Sequence, residues 1–158
     1  MLPSTVDRLP EHTAEHVNQR IRREMEERVA RIGAAGPRAI ARRLEELDRE
    51  WDTERTLEAN AASISAIGAG LALLVDRRFA LVPLVVGGFL LQHAVQGWCP
   101  PLPIFRRSGV RTQAEIEQER YALKAIRGDF QQVQEAKPAR AQQALQAVRG
   151  GGGGGGGV

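Results

Sequence analysis

The chain carries one cysteine and three histidines, and these are the side chains that could do chemistry. Cys99 follows His93 by six positions in FLLQHAVQGWCPPLP, residues 89 to 103, while His12 and His16 stand one helical turn apart near the start. A cysteine becomes a nucleophile when a helix N-terminus or a nearby cation favours its thiolate. The pattern instead puts Cys99 at the C-terminal end of an apolar helix, where the dipole opposes that charge, and Arg106 and Arg107 are the nearest following cations. His93 and Cys99 would supply two metal or haem ligands, and a Cys-Pro pair occurs in some haem-responsive proteins. A structural zinc site needs four ligands, and the spacings H-E-x-x-H and C-x-x-C are missing. His12 and His16 could share a metal, although solvated surface histidines are far commoner. No G-x-S-x-G elbow or nucleotide-binding glycine loop is present, and the terminal run of eight glycines lacks the Lys-Ser/Thr of a phosphate loop. The residues thus predict no catalytic, cofactor-binding or metal-binding set, and the expectation is a protein that is not an enzyme. The alternative is a thiol- or metal/haem-dependent enzyme or sensor centred on Cys99 and His93.

The elements that would position these residues are read from charge and hydropathy. Residues 1 to 60 contain 11 Lys+Arg against 13 Asp+Glu, residues 61 to 105 contain only Asp76, Arg77 and Arg78, and residues 106 to 158 contain 9 against 5. An apolar block therefore lies between two charged flanks. The net charge of +3 is spread along the C-terminal third without interleaved aromatics, which argues against a nucleic-acid partner. One cysteine cannot form an internal disulfide. The opening MLPSTVDRLPEHTAEH lacks a basic stretch followed by an apolar one, so any membrane insertion is expected to be internal. Arginine outnumbers lysine twenty to two, as in a GC-rich coding sequence, and suggests a bacterial source.

After a flexible N-terminus over 1–12, Val17, Ile21, Met25, Val29 and Ile32 recur at helical spacing. GAAGP breaks the pattern at 33–37, and a second stripe runs Ile40, Leu44, Leu47, Trp51. Narrow stripes of this kind suit a helical hairpin or pairing with a second copy; lying flat on a membrane is a third option, weakened by the mixed polar face. The segment 13–55 is assigned to these amphipathic helices. The segment 56–105 holds two apolar stretches, 57–75 and 79–99, each close to the length that crosses ~30 Å of hydrocarbon. The short DRR between them predicts a two-span hairpin. Arginines flank its outer ends more densely than its turn, so both termini are expected in the cytoplasm. Trp98 fits the interfacial aromatic belt there. A soluble four-helix bundle would require polar faces that residues 79 to 91 do not show.

Small residues Ala62, Ala66 and Gly70 on the first span, and Gly88, Gln92 and Gln96 on the second, recur at spacings of four and would pack the hairpin or dimerise it. A channel or transporter path along Gln92, His93 and Gln96 would need an oligomer. Pro100, Pro101 and Pro103 should stop the second helix and leave the chain extended to a turn at Ser108 and Gly109. Thr112 to Glu115 reads as a capping box opening a cytoplasmic helix within 106–130, with Gly128 as its stop. The low-complexity segment 131–158 is expected to be disordered.

A short hairpin whose second span closes on G-x-C-P, with a glycine about ten residues on, resembles the YgaP-like transmembrane domain, a bacterial family of largely unknown function. Gly97, Trp98, Cys99, Pro100 and Gly109 carry the resemblance, which covers roughly residues 55 to 112. It implies membrane anchoring and dimerisation. It carries no catalytic residue across, because the rhodanese domain of the family's namesake has no counterpart here. The combined expectation is an all-α protein: a transmembrane helical hairpin in the bacterial inner membrane, flanked by cytoplasmic amphipathic helices, with a disordered tail. Its expected partners are the lipid bilayer, a second copy of itself, and an unidentified protein met through the cytoplasmic helices.

Overall fold

The computed structural model describes residues 8–131, and several of its helix boundaries are set by residues that satisfy terminal backbone groups. The helices are α1 (Arg8–Glu11), α2 (Glu15–Ala34), α3 (Pro37–Arg49), α4 (Thr53–Leu74), α5 (Leu81–Gln96), α6 (Leu102–Arg107) and α7 (Gln113–Arg127), with one 3₁₀ turn at Arg77–Ala80. No strand occurs among the described residues, so the all-α expectation holds for them. The tail expected over 131–158 lies outside them apart from Gln131, as do residues 1–7.

Pro37 sits in the first turn of α3, where its missing N–H is harmless. Asp52 caps α4 by accepting from the Arg55 N–H at 2.7 Å. The expected capping box at α7 is complete: Thr112 Oγ1 accepts from the Glu115 N–H at 3.2 Å, and Glu115 Oε2 accepts from the Thr112 N–H at 2.7 Å. Gly128 ends that helix in the left-handed region, as expected.

Helices α2, α3 and α7 form a three-helix head around Ile40, Leu44, Leu47, Ile116 and Leu123, with Val29 and Ile32 packed against them. The α2–α3 hairpin therefore does not stand alone; α7, some 60 residues further on, fills its groove. Trp51 departs from expectation. Helix α3 stops at Arg49 because the Asp52 cap needs extended backbone ahead of it, and the indole is exposed with the Arg55 guanidinium 4.4 Å above its ring.

Helices α4 and α5 pack antiparallel, tightest where Gly68 meets Val82: a Cβ on Gly68 would stand 2.7 Å from Val82 Cβ. Outside this seam the apolar side chains face outward. Leu73, Leu74, Val75, Leu81, Leu84 and Leu91 are all more than 60% exposed. Both the α4 helix and the stretch Arg77–Gln96 contain windows long and apolar enough to cross a membrane.

A second cluster joins head to hairpin through Leu9, Leu57, Cys99 and Leu102, with Leu90 and Phe105 alongside. Two expectations are corrected here. Residues 8–12 were expected to be flexible, yet α1 buries Leu9 because it covers the apolar ends of α4 and α6. The prolines after Cys99 do not keep the chain extended: Pro101 and Pro103 occupy the start of α6, where helix geometry accepts them. The second span accordingly ends at Gln96, where Gly97 turns the chain with φ 76° and donates to the His93 carbonyl at 2.7 Å.

Candidate functional site

Two polar clusters are built at the end of the hairpin nearest the head. The larger is structural. Glu119 of α7 is fully buried and receives Arg28 of α2 (3.2 Å), Arg43 of α3 (2.7 Å) and Arg111, which precedes α7. Arg111 also makes a bidentate pair with Glu50, both bonds at 2.7 Å, and its carbonyl accepts from the buried Thr53 hydroxyl at the start of α4. Arg106 of α6, 1% exposed, pairs in bidentate fashion with Glu115 at 2.7 Å and reaches Asn18, Thr13 and the Val110 carbonyl. These pairs tie every helix of the head to the linkers that enter and leave the hairpin. Burial pushes the Glu119 carboxyl up, but the hydrogen bond from Arg43 and the charge of Arg111 outweigh it and hold the carboxyl below its ordinary value. Glu115 is lowered in the same way, with Arg106 and the Thr112 N–H overcoming desolvation.

The smaller cluster brings together Cys99, His93 and Glu54. The first turn of α4 and the last turn of α5 meet because the hairpin is antiparallel, and this juxtaposes residues 39 positions apart. His93 Nε2 lies 3.0 Å from Glu54 Oε2, with the imidazole buried. Such a carboxylate fixes ring orientation and tautomer. Nδ1 is buried and has no hydrogen-bond partner, and the Cys99 thiol lies beside the ring. Cys99 itself, 1% exposed, lies in the α5–α6 connection and not at the α5 terminus, so the opposing helix dipole expected there is displaced from it.

Cys99 also lines an apolar groove of about 490 Å³ between α4, α5 and α6. Ile64, Val86, Phe89, Ile104 and Phe105 form its walls, and Asn60 is the other polar side chain contributed by described residues. Ile64, Phe89 and Ile104 are exposed at its rim, so the groove opens along the outer apolar surface of the hairpin.

Of the sequence-derived candidates, Gly97 and Cys99 are buried, Trp98 is half-buried, and Pro100 and Gly109 are exposed. Of the two roles expected for the small-residue stripes, packing within the hairpin falls to other residues, which leaves pairing with a second copy. Ala62 and Ala66 are exposed, and a Cβ on Gly70 or Gly88 would meet nothing within 4 Å. The seam uses Leu57, Ala61 and Gly68, a stripe offset by one or two residues, because α4 rotates its smallest buried residue onto Val82. Gln92 is half-buried, and the Gln96 side chain is exposed while its carbonyl accepts from His12 Nε2 at 3.0 Å. Gln92, His93 and Gln96 therefore do not line a common path within one chain; His93 turns inward to Glu54. His12 and His16 are both exposed. Among the described residues no group of three or more His, Cys, Asp or Glu is arranged to hold a metal ion. Glu54 was missed by sequence reasoning, since only the hairpin's fold-back signals that it meets His93. No known protein family, characterised protein or solved structure matches this chain.

Proposed function

We propose that the chain is a bacterial inner-membrane protein whose α4–α5 hairpin crosses the bilayer and holds the three-helix head at the cytoplasmic face, as an anchor, scaffold or self-associating module. The observation that carries this reading is the uncovered apolar outer surface of the hairpin. Each large aliphatic side chain moved from water into an apolar phase gains about 1.5–3 kcal/mol, and exposed patches of this extent mark membrane or protein contacts. Trp51 and Trp98 flank the same end of the hairpin, as an interfacial belt requires. Arginines concentrate at that end too, which favours both termini in the cytoplasm. The likeness of Gly97, Trp98, Cys99, Pro100 and Gly109 to the YgaP-like transmembrane domain points the same way. The open space above Gly70 and Gly88 leaves room for the close approach of a second copy. Carbonate washing of membranes from cells expressing the full chain tests the reading: the protein should remain in the pellet, and release into the supernatant would refute it.

A second reading is favoured by the Cys99–His93–Glu54 cluster: a thiol-based activity at the membrane surface. A nucleophile next to a buried base that is itself oriented by a carboxylate is the arrangement that thiol catalysis needs.

A further inference from the structure

We infer that Cys99 is an acyl-accepting thiol, which takes a long-chain acyl group from an acyl thioester whose chain lies in the groove between α4, α5 and α6. Three independent observations converge on it. Cys99 is the nucleophile that lines the groove. Behind it His93 presents a buried, unpartnered Nδ1, and Glu54 holds the opposite ring nitrogen at 3.0 Å. The groove walls are apolar and its volume of about 490 Å³ falls within the ~300–1,000 Å³ typical of small-ligand sites. Exposed Ile64, Phe89 and Ile104 at the rim open it sideways along the hairpin. This rests on the membrane reading, since that rim then faces lipid and an amphipathic donor can enter from the bilayer.

In the transfer the Cys99 thiol gives its proton to His93 Nδ1 as sulfur bonds to the acyl carbonyl carbon. The donor's carbon–sulfur bond breaks, and the departing thiolate takes the proton back from His93. One thioester is consumed, one is formed, one thiol is released, and nothing is oxidised. Glu54 stabilises the imidazolium that forms transiently and keeps the ring oriented.

The full chain, purified from membranes in detergent, is incubated with palmitoyl coenzyme A or acetyl coenzyme A and followed by intact mass spectrometry. The expected result is one acyl adduct per chain, removed by neutral hydroxylamine, formed faster from the palmitoyl donor, and absent in Cys99→Ser. His93→Gln should slow acylation about 100-fold, the order of a lost general base. Ile104→Trp, which fills the rim of the groove, should cancel the preference for the palmitoyl donor. Helicity measured by circular dichroism accompanies each variant. An adduct that persists in Cys99→Ser, an unchanged rate in a folded His93→Gln protein, or a palmitoyl preference retained in Ile104→Trp would overturn the inference. Carbonate extraction of the same cells separates the two readings: an unacylated protein that stays in the membrane refutes this inference alone, whereas an acylated protein released by carbonate refutes the membrane reading.

Discussion

Replacing Glu119 by alanine should destabilise the head while leaving the hairpin intact. Glu119 is the common acceptor for Arg28, Arg43 and Arg111, one from each of two helices and one from the linker into α7. Removing it leaves Arg111, 4% exposed, and the mostly buried Arg43 without that partner. Breaking a buried pair from one side costs about 3–5 kcal/mol because the remaining charge stays desolvated. Arg111 keeps its bidentate bonds to Glu50, so the lower end, about 3 kcal/mol, applies. For a head of this size that corresponds to a fall in Tm of about 10–20 °C. Thermal unfolding of the detergent-solubilised full chain, followed by far-UV circular dichroism, measures it. Glu46→Ala is the internal control: its bond to Arg43 is at the surface and is worth about 0.5 kcal/mol. A Glu119→Ala protein melting within 3 °C of the control would refute the keystone role.

The same carboxylate sets an acid dependence. Its folded-state pKa is depressed, so its contribution is fully present above the ordinary carboxylate value of about 4.3 and is lost as pH falls towards and through the lower folded value. Stability measured from pH 7 to pH 2 should fall in that acid window, and Glu119→Gln should flatten the fall, Glu115 contributing the remainder; an equally steep fall in the variant would count against it. In the hairpin, Gly68→Ala places a Cβ at 2.7 Å from Val82 and should cost about 1–3 kcal/mol by overpacking. Gly70→Ala, which meets open space, should be near neutral, and equal effects of the two on resistance to detergent unfolding would refute the seam. Gly88→Leu should weaken self-association in detergent, seen as a smaller species by analytical ultracentrifugation; an unchanged oligomer would mean that Gly88 does not face a second copy.

Helices were legible wherever a stripe or a cap is local. The residues Val17 to Ile32, the Pro37 start, the Thr112–Glu115 capping box and the Gly128 stop are all signals contained within a few positions, and each appears as read. What depends on rotation or on distant partners was not. The seam at Ala61 and Gly68, rather than Ala62, Ala66 and Gly70, differs by a fraction of a turn, which spacing alone cannot choose when most of α4 is small and apolar. Pro101 and Pro103 read as breakers because a proline's effect depends on whether it falls before or inside a first turn. The contact of Cys99 with His93 was open as a possibility from their spacing, but Glu54 lies across the hairpin and joins them only once α4 and α5 fold back. Nothing in the local sequence singles out Glu119, or Arg106 as more than a cation following Cys99; their burial follows from the packing of α7 and α6 against elements 70 or more residues earlier.

The claim that the hairpin crosses the bilayer, with the head on the cytoplasmic side, is tested most directly by labelling from outside the cell. In a Cys99→Ala background, Arg78→Cys at the hairpin turn and Gln113→Cys at the start of α7 are treated with a membrane-impermeant maleimide in intact and in permeabilised spheroplasts. Arg78→Cys should be labelled in intact spheroplasts and Gln113→Cys only after permeabilisation. Labelling of both positions alike in intact spheroplasts, or of Gln113→Cys and not Arg78→Cys there, would contradict a hairpin that crosses the membrane with its head inside.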